Sequence, residues 1–99
     1  MITNKHLLLE RPNRIGGIQR IYRFADGHGL SVVNSPMLHS YPFAWEIAVV
    51  NGVDDSGSFD NLDYSTPLTK DVEVFADDKD ANEFIERAAA HFSVTRAGA

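Results

Sequence analysis

Residues 17–34 read GIQRIYRFADGHGLSVVN, and this stretch decides the fold class. In Gly17–Phe24, Ile18, Tyr22 and Phe24 share one face at period two, and Gln19 and Arg23 share the other, as in a strand. Arg20 intrudes on the apolar face and Ile21 on the polar one. That exchange predicts either an edge strand or a sheet covered in part on both faces. Ala25–Gly29 is the turn, with Asp26-Gly27 supplying positive φ values, and Leu30–Asn34 is the return strand. The pair predicts a β-hairpin.

On the C-terminal side, Asn34–Phe43 carries Pro36 and Pro42 and reads as a loop. Phe43–Asn51 (FAWEIAVVN) places Trp45, Ile47 and Val49 on one face and Ala44, Glu46, Ala48 and Val50 on the other. Apolar residues on both faces predict a central strand, with Trp45 as a core anchor. Asn51–Ser58 reads as a polar turn. Leu62 and Tyr64 alternate and predict a strand before Pro67, and Asp71–Phe75 reads as a further short strand or a lead into a helix. On the N-terminal side, Leu7–Leu9 forms a short strand or packs down.

The last element is a helix over residues 78–92. Ala81, Phe84, Ile85, Ala88 and Phe92 make one apolar stripe. Asp77, Asp78, Asp80 and Glu83 crowd its start, with Asp77 or Asp80 as the cap, and Arg87 and His91 stand near its end. Residues 93–99 read as a frayed tail. Strands first and one helix last predict an α+β fold: a small antiparallel sheet of about four to five strands, with the helix packed on one face. Residues 1–99 form a single domain with an N-terminal segment over residues 1–14.

The chain has no cysteine, which excludes disulfides, thiolate metal sites and cysteine nucleophiles. Leu7-Leu8-Leu9 is followed at once by Glu10, Arg11 and Arg14, so the N-terminus does not read as a signal peptide. No stretch reaches the roughly 20 apolar residues of a membrane span. These features predict a cytoplasmic protein that does not enter a membrane.

Catalytic motifs fail on spacing. There is no G-x-S-x-G elbow and no P-loop, and Gly27-His28-Gly29 begins like a dinucleotide loop but continues into a strand. His6, His28, His39 and His91 form neither H-E-x-x-H nor H-x-H. The run Asp54–Asp60 lacks the alternating oxygen ligands of a calcium loop. The chain reads as a non-catalytic binding protein, with no cofactor or metal.

Net charge is −5, unevenly spread. Residues 1–40 hold five basic and two acidic residues, net +3, and residues 41–99 hold four basic and twelve acidic residues, net −8. Arg20 and Arg23 point to opposite faces of their strand, so direct nucleic-acid binding is not expected. Met37, Leu38, Tyr41 and Phe43 lie in the proline-bounded loop, where large apolar groups either fold back onto the core or meet a partner.

At Gly16-Gly17-Ile18-Gln19, Tyr22-Arg23-Phe24, Asp26-Gly27-His28-Gly29, Ser31-Val32-Val33, Trp45-Glu46-Ile47-Ala48-Val49 and Tyr64-Ser65-Thr66-Pro67-Leu68-Thr69-Lys70-Asp71-Val72 the chain resembles a group of small phage and prophage proteins. It departs from them before Trp45, where Ser40-Tyr41 runs into Pro42-Phe43 in place of a glycine-rich stretch. The resemblance implies phage ancestry and, with it, an inhibitor of a host defence complex, such as an anti-CRISPR protein acting on a CRISPR effector. Asp54, Asp55, Asp60, Asp63, Asp71, Glu73, Asp77 and Asp78 would then supply an acidic face that takes the place of nucleic acid. Two other readings stand beside this one. The chain is an adaptor or regulatory module for another phage or host protein, dimeric through a sheet edge, or it sequesters a small nucleotide signal with Arg20, Tyr22 and Arg23 as its contacts.

Overall fold

The computed structural model describes residues 1–13, 16–34, 45–66, 68 and 72–97, with 93–97 as backbone only. The element order is β1 (Leu7–Pro12), β2 (Ile18–Arg23), β3 (Gly29–Asn34), β4 (Trp45–Asn51), β5 (Asn61–Leu62), β6 (Glu73–Phe75) and α1 (Asp78–Ala97). Strands β1 to β4 form an antiparallel meander, and β5 and β6 both pair antiparallel with β4. They occupy its two ends, β5 against Val50–Asn51 and β6 against Trp45–Ile47. The α+β expectation therefore holds. The sheet has one strand more than expected, because the N-terminal leucines do pair.

The β2–β3 turn is a three-residue connection. Gly27 N donates to Phe24 O, Phe24 N donates to His28 O, and only Gly27 takes positive φ, at 93°. Asp26 contributes its side chain instead, accepting the backbone N–H of His28 over 2.9 Å.

Helix α1 lies on one face of the sheet. Tyr22, Phe24, Leu30, Val32, Trp45, Ile47 and Val49 meet Ala81, Phe84, Ile85, Ala88 and Phe92 there. Burying each large apolar side chain contributes roughly 1.5–3 kcal/mol. Asp77 caps the helix by accepting Asp80 N–H over 2.9 Å. The helix runs to Ala97 and does not stop near Phe92. Residues 1–5 are strapped to it. Ile2 is buried, Thr3 N donates to Asn82 Oδ1 over 2.7 Å, and Asn82 Nδ2 donates to Met1 O over 2.9 Å.

The opposite face carries a smaller cluster of Ile21, Val50 and Val53, with Leu8, Leu9 and Phe59 packed around it. This resolves the exchange at Arg20 and Ile21: β2 is interior and both faces are covered in part. A bulge between Leu7 and Leu9 in β1 divides the three leucines. Leu7 joins the helix-side core, while Leu8 and Leu9 join the second cluster. No helix among the described residues is long and apolar enough to cross a membrane.

Candidate partner-binding surface

The run 52–60 is more than a polar turn. It folds back over the helix-free face as a flap. Val53 is buried beneath it, and its N–H donates to Gly27 O in the β2–β3 turn over 3.2 Å. Gly57 sits directly on Leu9, where a Cβ would come within 2.8 Å of the leucine Cδ2. Asp54 holds the loop in shape, accepting Ser56 N (2.8 Å), Ser56 Oγ (2.6 Å) and Ser58 N (3.2 Å). The Ser56 hydroxyl, its largest influence, pulls the Asp54 carboxyl below the ordinary range. At the tip, Asp55 accepts Arg23 Nη1 over 2.7 Å while its side chain stays 97% exposed. Asp60 closes the flap through its N–H to Asn51 O.

The chain then passes into β5. Leu62 pairs with Val50, so it projects on the helix-free side, and it is 44% exposed. Tyr64, two residues on, is 41% exposed. Val74 of β6 lies opposite Glu46 on the same open side of β4 and is 53% exposed. Sequence alternation picks out Leu62 and Tyr64 as a strand but not as an exposed apolar pair. Their exposure follows from lying outside β4 on the last row of the sheet.

Between Leu62 and Tyr64, Asp63 points the other way. Its N–H donates to Val49 O over 2.7 Å. Its Oδ1 accepts Ser65 Oγ (2.5 Å) and Ser65 N (3.0 Å), and its Oδ2 faces His28 Nε2 at 3.2 Å. The Ser65 hydroxyl and backbone, then His28 and Asn51, outweigh burial and hold the Asp63 carboxyl at about 2. His28 Nδ1 faces Asp26 Oδ2 at 3.0 Å, and its ring stacks on Phe92 with centroids 4.2 Å apart. The Asp26–His28 half is two residues apart and within sight of sequence reading; Asp63 lies 35 residues away, and no local pattern announces it.

The structure divides the predicted acidic residues. Asp54, Asp55, Asp60 and Asp63 stand on the flap and the segment after it, at the Val50–Asn51 end of β4. Glu73 lies opposite Ile47, about 10 Å from Val50 by the rise of the strand, while Asp77 and Asp78 stand at the Trp45 end, about 17 Å away. Asp77 is occupied as the helix cap, and Asp78 accepts Trp45 Nε1–H. Asp71 lies outside the described residues, as do Met37, Leu38, Tyr41 and Phe43 of the loop before β4.

The three residues named as nucleotide contacts are not brought together. Tyr22 is fully buried and donates to Thr3 O, and Arg20 is spent on Glu10, Thr3 O, Asn4 and the Tyr22 hydroxyl. Arg23 stands on the other face with Asp55. Among the described residues no three His, Asp or Glu side chains converge as metal ligands. No protein-family model matches the chain, and no curated protein or solved structure shows significant similarity to it.

Proposed function

We propose that the protein is a non-catalytic binding module that docks a basic surface of a host protein complex. It would act as phage inhibitors do when they occupy the nucleic-acid channel of a CRISPR effector. The observation that carries this reading is one patch at the Val50 end of β4. There, exposed Leu62 and Tyr64 adjoin the flap bearing Asp54, Asp55 and Asp60. Exposed large apolar groups beside three carboxylates, one of them paired with Arg23, match the make-up of a protein interface, with an apolar centre for affinity and carboxylates that select a cationic partner. This docking site is smaller than the face of eight acids read from the sequence, because Glu73 pairs with Ile47 of the helix-side core and Asp77 and Asp78 stand at the far end of β4.

The test uses purified RNA-guided nuclease complexes from bacteria. Binding of target DNA is measured with the protein added, at low and high salt. Inhibition that weakens as salt rises, and that is lost in a variant carrying Asp55→Lys, Asp60→Lys, Leu62→Ala and Tyr64→Ala, supports the reading. Asp54 is left unchanged because it shapes the flap. Inhibition that survives these four substitutions overturns it, and so does absence of inhibition across the complexes assayed.

A further inference from the structure

The arrangement around His28 adds a control element to that patch. One carboxylate faces each ring nitrogen, Asp26 at 3.0 Å on Nδ1 and Asp63 at 3.2 Å on Nε2. Asp63 is ionised well below neutral pH and only accepts hydrogen bonds there. A neutral imidazole carries one N–H and bonds one of the two carboxylates. Its other nitrogen then presents a lone pair to the remaining carboxylate oxygen. The doubly protonated ring bonds both. Three elements meet at this ring: the β2–β3 turn through Asp26, the segment after β5 through Asp63, and α1 through Phe92. Nearby, Asn51 bonds Asp63, His91 packs edge-on against Phe92, and His6 packs edge-on against Phe24, which also stacks on Phe92.

We propose that Asp26, His28 and Asp63 form a pH-sensitive clamp that sets the position of the Leu62–Ser65 segment, so that protonation of His28 strengthens docking at the patch described above. The clamp acts on the segment directly, because Asp63 lies between Leu62 and Tyr64. It rests on the docking reading for its consequence but not for its existence. Protonated, His28 ties Asp63 to the β2–β3 turn and holds the two exposed apolar side chains in one arrangement. Deprotonated, the ring keeps one N–H, and in the tautomer that leaves it on Nδ1 facing Asp26 the segment keeps only Ser65, Asn51 and the backbone bond to Val49.

The experiment is a titration of the full chain by NMR across about pH 5–8, the range in which histidines change charge. The signals followed are the His28 ring and the amides of residues 62–65. The expected result is that these amides shift with the midpoint of the His28 ring. In His28→Gln they should stay still across the range, and in Asp26→Asn, which keeps the ring, their shift should be reduced. Amides that ignore the His28 titration overturn the clamp, as does an unchanged response in His28→Gln. None of this needs a partner, so failure of the docking reading is told apart from failure of the clamp. Where a docking complex is in hand, its affinity should fall several-fold from pH 5.5 to pH 8 in the parent and stay level in His28→Gln. A level parent overturns the link to docking.

Discussion

The indole Nε1–H of Trp45 donates to Asp78 Oδ1 over 2.7 Å, joining the first residue of β4 to the first turn of α1. Removing the acceptor strands a donor on a buried ring. Asp78→Ala is expected to cost about 1–3 kcal/mol, and Asp78→Asn less, because it keeps an oxygen there. The hydrogen bond from Trp45 lowers the Asp78 carboxyl below its ordinary value. Its stabilisation is therefore present above the unfolded-state value and is lost as pH falls through the folded one. The gap between the parent and Asp78→Asn should narrow in acid. Urea unfolding followed by the fluorescence of the single tryptophan measures both effects.

Asp63 gives a second acid-sensitive contribution with a defined window. Its folded carboxyl lies at about 2 against an ordinary 3.8. The stabilisation is full above the ordinary value and disappears as pH falls toward about 2. Asp63→Asn should lower the urea midpoint at pH 6 and converge on the parent near pH 2. Equal differences at both values would show that the carboxylate charge is not what stabilises the segment.

Ile21 separates the structural account from the pattern. Alternation alone assigns it to a polar face, where truncation costs little. It is fully buried under the flap, so Ile21→Ala should destabilise the protein by about 2–5 kcal/mol. A thermal melt that barely moves would mean the flap does not seal that face in solution.

Gly27 in the β2–β3 turn and Gly29 at the start of β3 should respond differently. Gly27 has φ of +93° and open space around its missing Cβ, so Gly27→Ala costs only the left-handed backbone, about 1–2 kcal/mol. At Gly29 a Cβ would fall 2.1 Å from the carbonyl oxygen of Tyr22 and 2.9 Å from Val53, so β2 must shift. Gly29→Ala should cost about 3 kcal/mol or more and lower soluble yield. The reverse order in chemical denaturation would contradict the packing of the flap on the turn.

What could be read from the residues is what depends on neighbours in the chain. The hairpin, the two-faced strand at Trp45 and the apolar stripe of α1 are all local patterns and stand where their periods put them, and of the two caps the pattern allows, Asp77 and Asp80, it is Asp77 that serves. The run Leu7–Leu9 was ambiguous because a bulge sends its side chains to opposite faces, and no two-residue period survives that. The flap was hidden because Val53 and Gly57 sit in a run of polar residues, and only Leu9, far off in the chain, explains them. For the same reason the acidic residues could be counted but not mapped. Which carboxylates cap a helix, which shape a loop and which remain outside is set by partners at long range: Trp45 for Asp78, Arg23 for Asp55, His28 for Asp63.

The strap over α1 bears on the order in which the chain matures. Asn82 holds Met1 and Thr3 across 81 and 79 positions, so this closure waits until residue 82 has been made. On the ribosome, the meander of β1 to β4 emerges before α1, with Tyr22, Val32 and Ile47 bare on one side until the helix that covers them follows. Such late, non-local closure is slow and leaves a nascent sheet exposed to association. Substitutions that weaken Asn82 should therefore show first as loss of soluble product during synthesis, before any change in the finished molecule's stability.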